Sequence, residues 1–161
     1  MNKIFLSFFN RNIRRHFGFL FQKGYEIRKT GHDFKDFGDW RAVLESLDCL
    51  IVIYQDRDEI FLAFAPRNGG QENLVGIEPM IYFISHGNTF VGWYDGNLAW
   101  DKRQQFERLA RLLEEHLDQI TPYFGIDYRK YANDLTLAQK NYNNLLLEKY
   151  SSRQIQGNRV K

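Results

Sequence analysis

The sequence predicts a single α+β domain with an N-terminal amphipathic helix, a four-stranded antiparallel meander and two or three C-terminal helices. The first observation is a pair of apolar runs, residues 49–54 and 59–65, separated by four polar residues. This pattern is typical of a β-hairpin. The second is that neither run alternates cleanly between apolar and polar positions, which predicts that both faces of the hairpin are covered. The third is that helical patterns long enough to provide the cover stand on either side.

The N-terminal pattern predicts one helix over residues 4–22, ended by Gly24. The side chains that share its broad, mainly apolar face are Phe5, Phe9, Ile13, His16, Phe17 and Leu20. Its opposite face carries Arg11, Arg14 and Arg15. An apolar stripe of this kind predicts packing against the protein's own sheet. An interfacial membrane helix or a transit peptide is the alternative interpretation, because the first 25 residues are Arg-rich and contain no acid.

The remaining strands are predicted at residues 25–30 and at about 40–46. With the hairpin they make four consecutive strands joined by short loops, which favours an antiparallel meander. Residues 78–85 suit a short helix with a proline in its first turn, and a fifth strand is the competing interpretation. Residues 89–94 are compatible with a short edge strand or an ordered loop.

Two helices are predicted in the C-terminal part. From about residue 98 to 124, apolar residues recur at spacings of three and four residues, which is typical of a helix. Pro122 and Gly125 end the pattern. Asp127 is a good N-cap for a last helix. The chain then becomes polar and aperiodic, so the domain is expected to span residues 1–150 and a flexible tail residues 151–161.

Composition narrows the functional classes. The net charge is only +2, but the first 30 residues hold seven Lys or Arg and one acid, whereas residues 31–100 hold four against eleven. The single cysteine excludes an intrachain disulfide and a cysteine-based zinc site. The N-terminal apolar run stops at Asn10 without a small-residue cleavage site, and no run approaches the ~20 apolar residues of a membrane span. These features predict a cytoplasmic protein.

No motif for catalysis, phosphate binding or dinucleotide binding is recognised, and no cofactor is expected. The four histidines, at positions 16, 32, 86 and 116, are too dispersed for a predicted metal site. The turn-rich segment with His32, Asp33, Asp36 and Asp39 could place an acid–base pair in a cleft, which gives an enzyme as one alternative function. Solvated turn carboxylates explain the same segment without any chemistry.

Nucleic-acid or membrane-surface binding is another alternative. Arg11, Arg14 and Arg15 form a compact basic face, and Phe8 or Phe19 could add an aromatic stacking platform. The pI near 8.6 and the acidic middle of the chain speak against nucleic acid.

Protein binding is the leading hypothesis. Trp93, Tyr94 and Trp100 lie in or beside a loop rich in Gly, Asn and Asp, and Trp and Tyr are favoured interface anchors. Packing over the edge of the sheet is the competing role for these rings. The last helix, rich in Tyr and Leu, could form a homodimer as readily as pack within one chain.

The outline resembles small bacterial α+β proteins, including those of the immunity and antitoxin type. The resemblance covers roughly residues 5–120 and consists of turns and strand ends. The segments that carry it are Phe17-Gly18-Phe19-Leu20 with Gly24-Tyr25, Asp39-Trp40 with Val43-Leu44-Glu45-Ser46, and Ile51 with Gln55-Asp56-Arg57-Asp58-Glu59-Ile60-Phe61-Leu62 and Ala65-Pro66. It implies a protein that binds and blocks a partner, and it carries over no functional residue.

Overall fold

The computed structural model describes residues 2–33, 39–56, 59–69, 73–92 and 101–157. The elements in chain order are α1 (Asn2–His16), α2 (Gly18–Gln22), β1 (Glu26–Asp33), β2 (Asp39–Glu45), β3 (Cys49–Asp56), β4 (Glu59–Pro66), β5 (Val75–Gly76), α3 (Ile77–Ile84), α4 (Lys102–Ile120), a 3₁₀ turn (Thr121–Tyr123) and α5 (Tyr128–Gly157). The predicted α+β class is confirmed.

The sheet is antiparallel throughout, with strand order β1-β2-β3-β4-β5. It has one strand more than predicted. The additional strand, β5, pairs Val75 with Phe64 and Gly76 with Ala63. Two residues are too short to show a periodic pattern, so only the tertiary pairing identifies this strand.

The β3–β4 hairpin is buried on both faces, as its uniform apolar sequence predicts. One face contributes Ile51, Ile53, Leu62 and Phe64 to the main core, which also contains apolar side chains of α1, α3 and α4. The opposite face is formed by Leu50, Val52, Ala63 and Ala65, all at most 8% exposed.

The predicted helix over residues 4–22 is two helices. The backbone leaves the α conformation at Phe17, with φ −109° and ψ 27°, and α2 follows directly. Phe17, at the break, and Leu20 of α2 are both fully buried. The predicted end is confirmed, since Gly24 has a φ of +83° and the Tyr25 amide donates to the Leu20 carbonyl at 3.0 Å.

The C-terminal helices differ from the prediction at their ends. α4 begins at Lys102 because Asp101 is its N-cap, with Oδ1 accepting from the Arg103 amide at 2.8 Å. α5 continues as a backbone helix to Gly157 through most of the segment predicted as a polar tail. Residues 77–84 form a helix, which confirms the predicted helix and not the competing strand.

Phe106 of α4 joins the N-terminal helices to the core. Its ring makes edge contacts with Phe9 and Phe17, at centroid distances of 5.8 and 6.3 Å. His16 stacks on the same ring at 5.8 Å. Burial lowers the pKa of His16, so the neutral imidazole is favoured at this contact.

Gln105 connects α4 to the sheet, and its replacement tests that connection. Its Oε1 accepts a 2.7 Å hydrogen bond from the Ile60 amide in a buried environment. Gln105→Leu keeps the volume but leaves this amide without its acceptor, so we expect a loss of about 1–3 kcal/mol in the free energy of unfolding. Urea denaturation measures it.

The exposed neighbour gives the matched control. Gln104→Leu is expected to change the free energy of unfolding by no more than about 0.5 kcal/mol. Equal effects of the two substitutions would show that the hydrogen bond to Ile60 contributes nothing.

Candidate functional site

A groove of about 510 Å³ lies at the end of the sheet where three connections meet. We call it the end groove. It is lined by the β2–β3 turn, by the segment that follows β4 and by the connection from α4 to α5. The residues that line it are Leu47, Asp48, Pro66, Arg67, Asn68, Gly69, Asn73, Phe124, Gly125, Ile126, Tyr128 and Arg129.

Leu47 is 85% exposed on the first of these connections. The turn that carries it is held by hydrogen bonds of Ser46 to the two residues that follow Leu47. The Ser46 amide donates to the Cys49 carbonyl at 3.1 Å, and Ser46 Oγ accepts from the Asp48 and Cys49 amides at 3.2 and 3.3 Å. The Leu47 side chain is therefore presented to solvent by an ordered turn.

Ile126 is fully exposed, with a relative accessibility of 102%, on the opposite connection. It follows Gly125, whose carbonyl accepts from the Tyr128 amide at 3.1 Å. Phe124, two residues earlier, is 1% exposed and anchors this connection in the core. Two large aliphatic side chains thus stand exposed on the lining of one groove.

The floor of the end groove is aromatic. Phe124 stacks on the core residue Phe64 at 5.5 Å and on Tyr128 at 6.1 Å. The Tyr128 hydroxyl donates to Asn73 Oδ1 at 3.0 Å, which joins α5 to the segment before β5. The floor is consequently continuous with the hydrophobic core.

The charges around the groove are nearly balanced. Arg67 pairs with Glu45 at 2.8 Å, and this contact holds the pKa of the Glu45 carboxyl below its usual value. Asp48 and Arg129 add one charge of each sign to the lining. The groove therefore favours an apolar ligand surface over a strongly charged one.

The predicted anchors Trp93, Tyr94 and Trp100 lie outside the described residues. The chain on both sides of them is well anchored. Arg108 donates to the Gly92 carbonyl at 3.0 Å and pairs with Glu78 at 3.1 Å. On the other side Asp101 caps α4.

The predicted basic face is exposed. Within the described ranges, Arg11, Arg14 and Arg15 form no ion pair with a carboxylate, and the Arg14 guanidinium lies 5.3 Å from the centre of the Phe21 ring. Phe8, on the same helix, is 55% exposed, whereas Phe19 packs partly against the core.

The segment proposed for an enzyme site spans the β1–β2 connection. Asp33 ends β1 and pairs through its backbone with Asp39 at the start of β2, and His32 pairs with Trp40. The side chains of His32, Asp33 and Asp39, and the whole of Asp36, lie outside the described part. The other described side chains contain no group of three His, Cys, Asp or Glu that could hold a metal ion.

Cys49 is the buried thiol that its strand position predicts. Its Sγ lies 3.2 Å from the Tyr25 hydroxyl. Burial raises the pKa of the Cys49 thiol to about 11 and also raises the pKa of Tyr25. A thiol of this kind is a poor nucleophile at neutral pH.

Leu47 and Ile126 are not among the site residues predicted from the sequence. The one sequence feature that marks them is that each is a large aliphatic residue inside a short polar turn, where Gly, Asn, Asp and Ser are usual. Exposed single apolar residues are common, however, and only the structure shows that these two line one groove.

No protein-family model, curated protein or solved structure matches this chain. None of the described helices combines the length and the apolar character that crossing a membrane requires.

The raised pKa of Cys49 predicts that the protein is less stable in alkali. The unfolded thiol ionises near pH 9 and the folded one near 11. The stabilisation is complete below pH 9 and is lost as the pH rises to 11, by about 3 kcal/mol at about 1.4 kcal/mol per unit. Urea denaturation between pH 8 and about 11 measures this loss.

Cys49→Ala is the control for this prediction. It is expected to lower stability at every pH but to remove most of the decline below pH 10, where Tyr25 still contributes little. A decline that is identical in the variant would assign the pH dependence to other groups.

Proposed function

We propose that this protein is a non-catalytic protein-binding module that docks a partner at the end groove. The observation that carries the proposal is the exposure of Leu47 and Ile126 on the lining of one groove. Folding alone gains nothing from these side chains, whereas a partner that covers them removes their apolar surface from water.

The geometry favours recognition of an apolar side chain. Leu47 is held by an ordered turn, and the connection that carries Ile126 is fixed by Phe124, so a partner loses little entropy in ordering either residue. The half-buried ring of Tyr128, which stacks on the buried Phe124, provides an aromatic surface on which the partner's side chain can pack. A small cytosolic protein of the immunity or antitoxin type, which blocks a partner by covering its working surface, fits this design.

The segment with Trp93, Tyr94 and Trp100 is the second candidate docking surface for the same function. α4 begins after its N-cap Asp101 and ends at Ile120, from which the 3₁₀ turn leads to Phe124 in the end groove. This helix of 19 residues is about 28 Å long, so Asp101, which directly follows the segment, and the end groove lie near opposite ends of α4. Variants at the two places therefore report on different surfaces.

Binding of an anionic surface through α1 is a different function that one observation favours. Arg11, Arg14 and Arg15 find no carboxylate partner in the described ranges. Such a face would bind nucleic acid or anionic lipid, and the binding would weaken as salt is raised.

The double variant Leu47→Ser with Ile126→Ser tests the end groove. The stability of the free protein should change little, since both side chains are already exposed. Capture of the partner at moderate salt should weaken by more than about tenfold, because burial of each side chain is worth more than 1.4 kcal/mol. Quantitative mass spectrometry of affinity eluates and thermal unfolding give the two measurements.

The matched control is Leu137→Ser with Leu147→Ser, two exposed leucines on α5 outside the end groove. It should leave capture unchanged. Equal capture by the wild-type chain and the groove variant would contradict the proposal.

Substitution of Trp93 and Tyr94 by Ala tests the second surface. If this segment anchors the partner, capture falls by about tenfold or more while the unfolding temperature is kept. A large drop in the unfolding temperature instead would assign the two rings to packing over the sheet.

A further inference from the structure

A second cavity, of about 330 Å³, lies between the sheet, the start of α3 and the middle of α5. We call it the sheet–helix pocket. It shares no lining residue with the end groove. The amide of Gly76 donates to Gln139 Oε1 at 2.9 Å and fixes α5 beside β5 at this place.

Three aromatic rings line the sheet–helix pocket. Tyr54 and Phe61 are cross-strand partners on β3 and β4, and their rings stack at 5.2 Å with an angle of 21° between their planes. Tyr142 of α5 contributes the third ring, and its hydroxyl donates to the Val91 carbonyl. The rings are therefore placed by the sheet and by a hydrogen bond.

Among the described residues that line this pocket, Glu78 is the charged one. Its side chain is 13% exposed, and Oε1 accepts from Arg108 at 3.1 Å. In the described part of the chain Oε2 has no hydrogen-bond partner, and neither has the Tyr54 hydroxyl. Burial raises the pKa of Tyr54, and the negative charges of Glu78 and Asp56 raise it further, so acidic groups outweigh Arg41 at this hydroxyl.

We propose that the sheet–helix pocket binds a small organic ammonium ion. Aromatic faces attract a cation, and a partly desolvated carboxylate oxygen without a partner adds a direct counter-charge. The volume lies at the lower end of the range for small-molecule sites. The described lining residues include no Lys or Arg that would repel such a ligand.

Two features oppose part of the charge of Glu78. One is its ion pair with Arg108, and the other is the positive amino end of α3, whose first turn contains Glu78. The carboxylate alone is therefore a weak attractor. The rings must supply the remainder of the binding energy. Binding is therefore expected to weaken when either the carboxylate or a ring is removed.

Choline is the probe, and its uncharged isostere 3,3-dimethylbutan-1-ol is the comparison ligand. Binding is followed by the NMR shifts of the Tyr and Phe ring protons during titration of the full chain. We expect choline to bind with a Kd of about 1 mM, and the isostere to bind at least about fivefold more weakly because it lacks the cation–π attraction. The rings of Tyr54 and Tyr142 should show the largest shifts.

Asn143→Phe fills the pocket from an exposed position on α5, and Asn144→Phe is the matched control on the next residue, outside the pocket. The first should weaken choline binding by more than about tenfold and the second should not change it. Tyr54→Leu should weaken binding in the same way, by removing a ring while keeping an apolar wall.

Three results would overturn the proposal. They are an absence of shifts at millimolar choline, equal binding of choline and its isostere, and unchanged binding in Asn143→Phe. Capture of the partner at the end groove is a separate measurement. A failure to bind choline therefore leaves the end-groove proposal as it stands, and a failure of partner capture leaves the choline proposal as it stands.

Discussion

The structure depends on the burial of both faces of the β3–β4 hairpin. Leu62 and Phe64 point into the core with α1, α3 and α4, whereas Val52 and Ala63 are buried on the opposite face. An antiparallel sheet with one solvated face alternates polar with apolar residues, and this hairpin does not. The other elements can be understood as the covers that it requires.

This requirement also explains where the candidate sites are. On the second face, α5 is held beside β5 by the hydrogen bond from Gly76 to Gln139, and the sheet–helix pocket lies between α5 and the sheet. The end groove lies at the end of the sheet where three connections meet, over the floor formed by Phe124 and Tyr128. The end groove and the sheet–helix pocket therefore both lie where the helices leave part of the sheet uncovered.

The features that the sequence predicts are those with a repeated physical pattern. The hairpin, α3 and most of α4 follow from runs or periods of apolar residues. β5 has only two residues, too few to form a periodic pattern, and the break at Phe17 falls inside a continuous apolar pattern, so the sequence pattern identifies neither. The continuation of α5 to Gly157 is a case in which a polar, aperiodic sequence still forms a backbone helix.

The candidate site could be predicted only in part. The basic face of α1 is exposed as its helical spacing predicts, since Arg11, Arg14 and Arg15 lie opposite the buried face. Leu47 and Ile126 are far apart in sequence, each in a short turn, and the chain gives no local sign that the fold brings both to one groove. Proximity across connections is a property of the topology, and single-sequence patterns do not encode it.

The most direct test of the account is site-specific photo-crosslinking in the native host. A photo-reactive amino acid is placed at position 47 in one strain and at position 137, an exposed leucine of α5 outside the end groove, in another. The end-groove proposal predicts one protein adduct of defined mass at position 47 and none at position 137. The same adducts at both positions, or an adduct only at position 137, would contradict it.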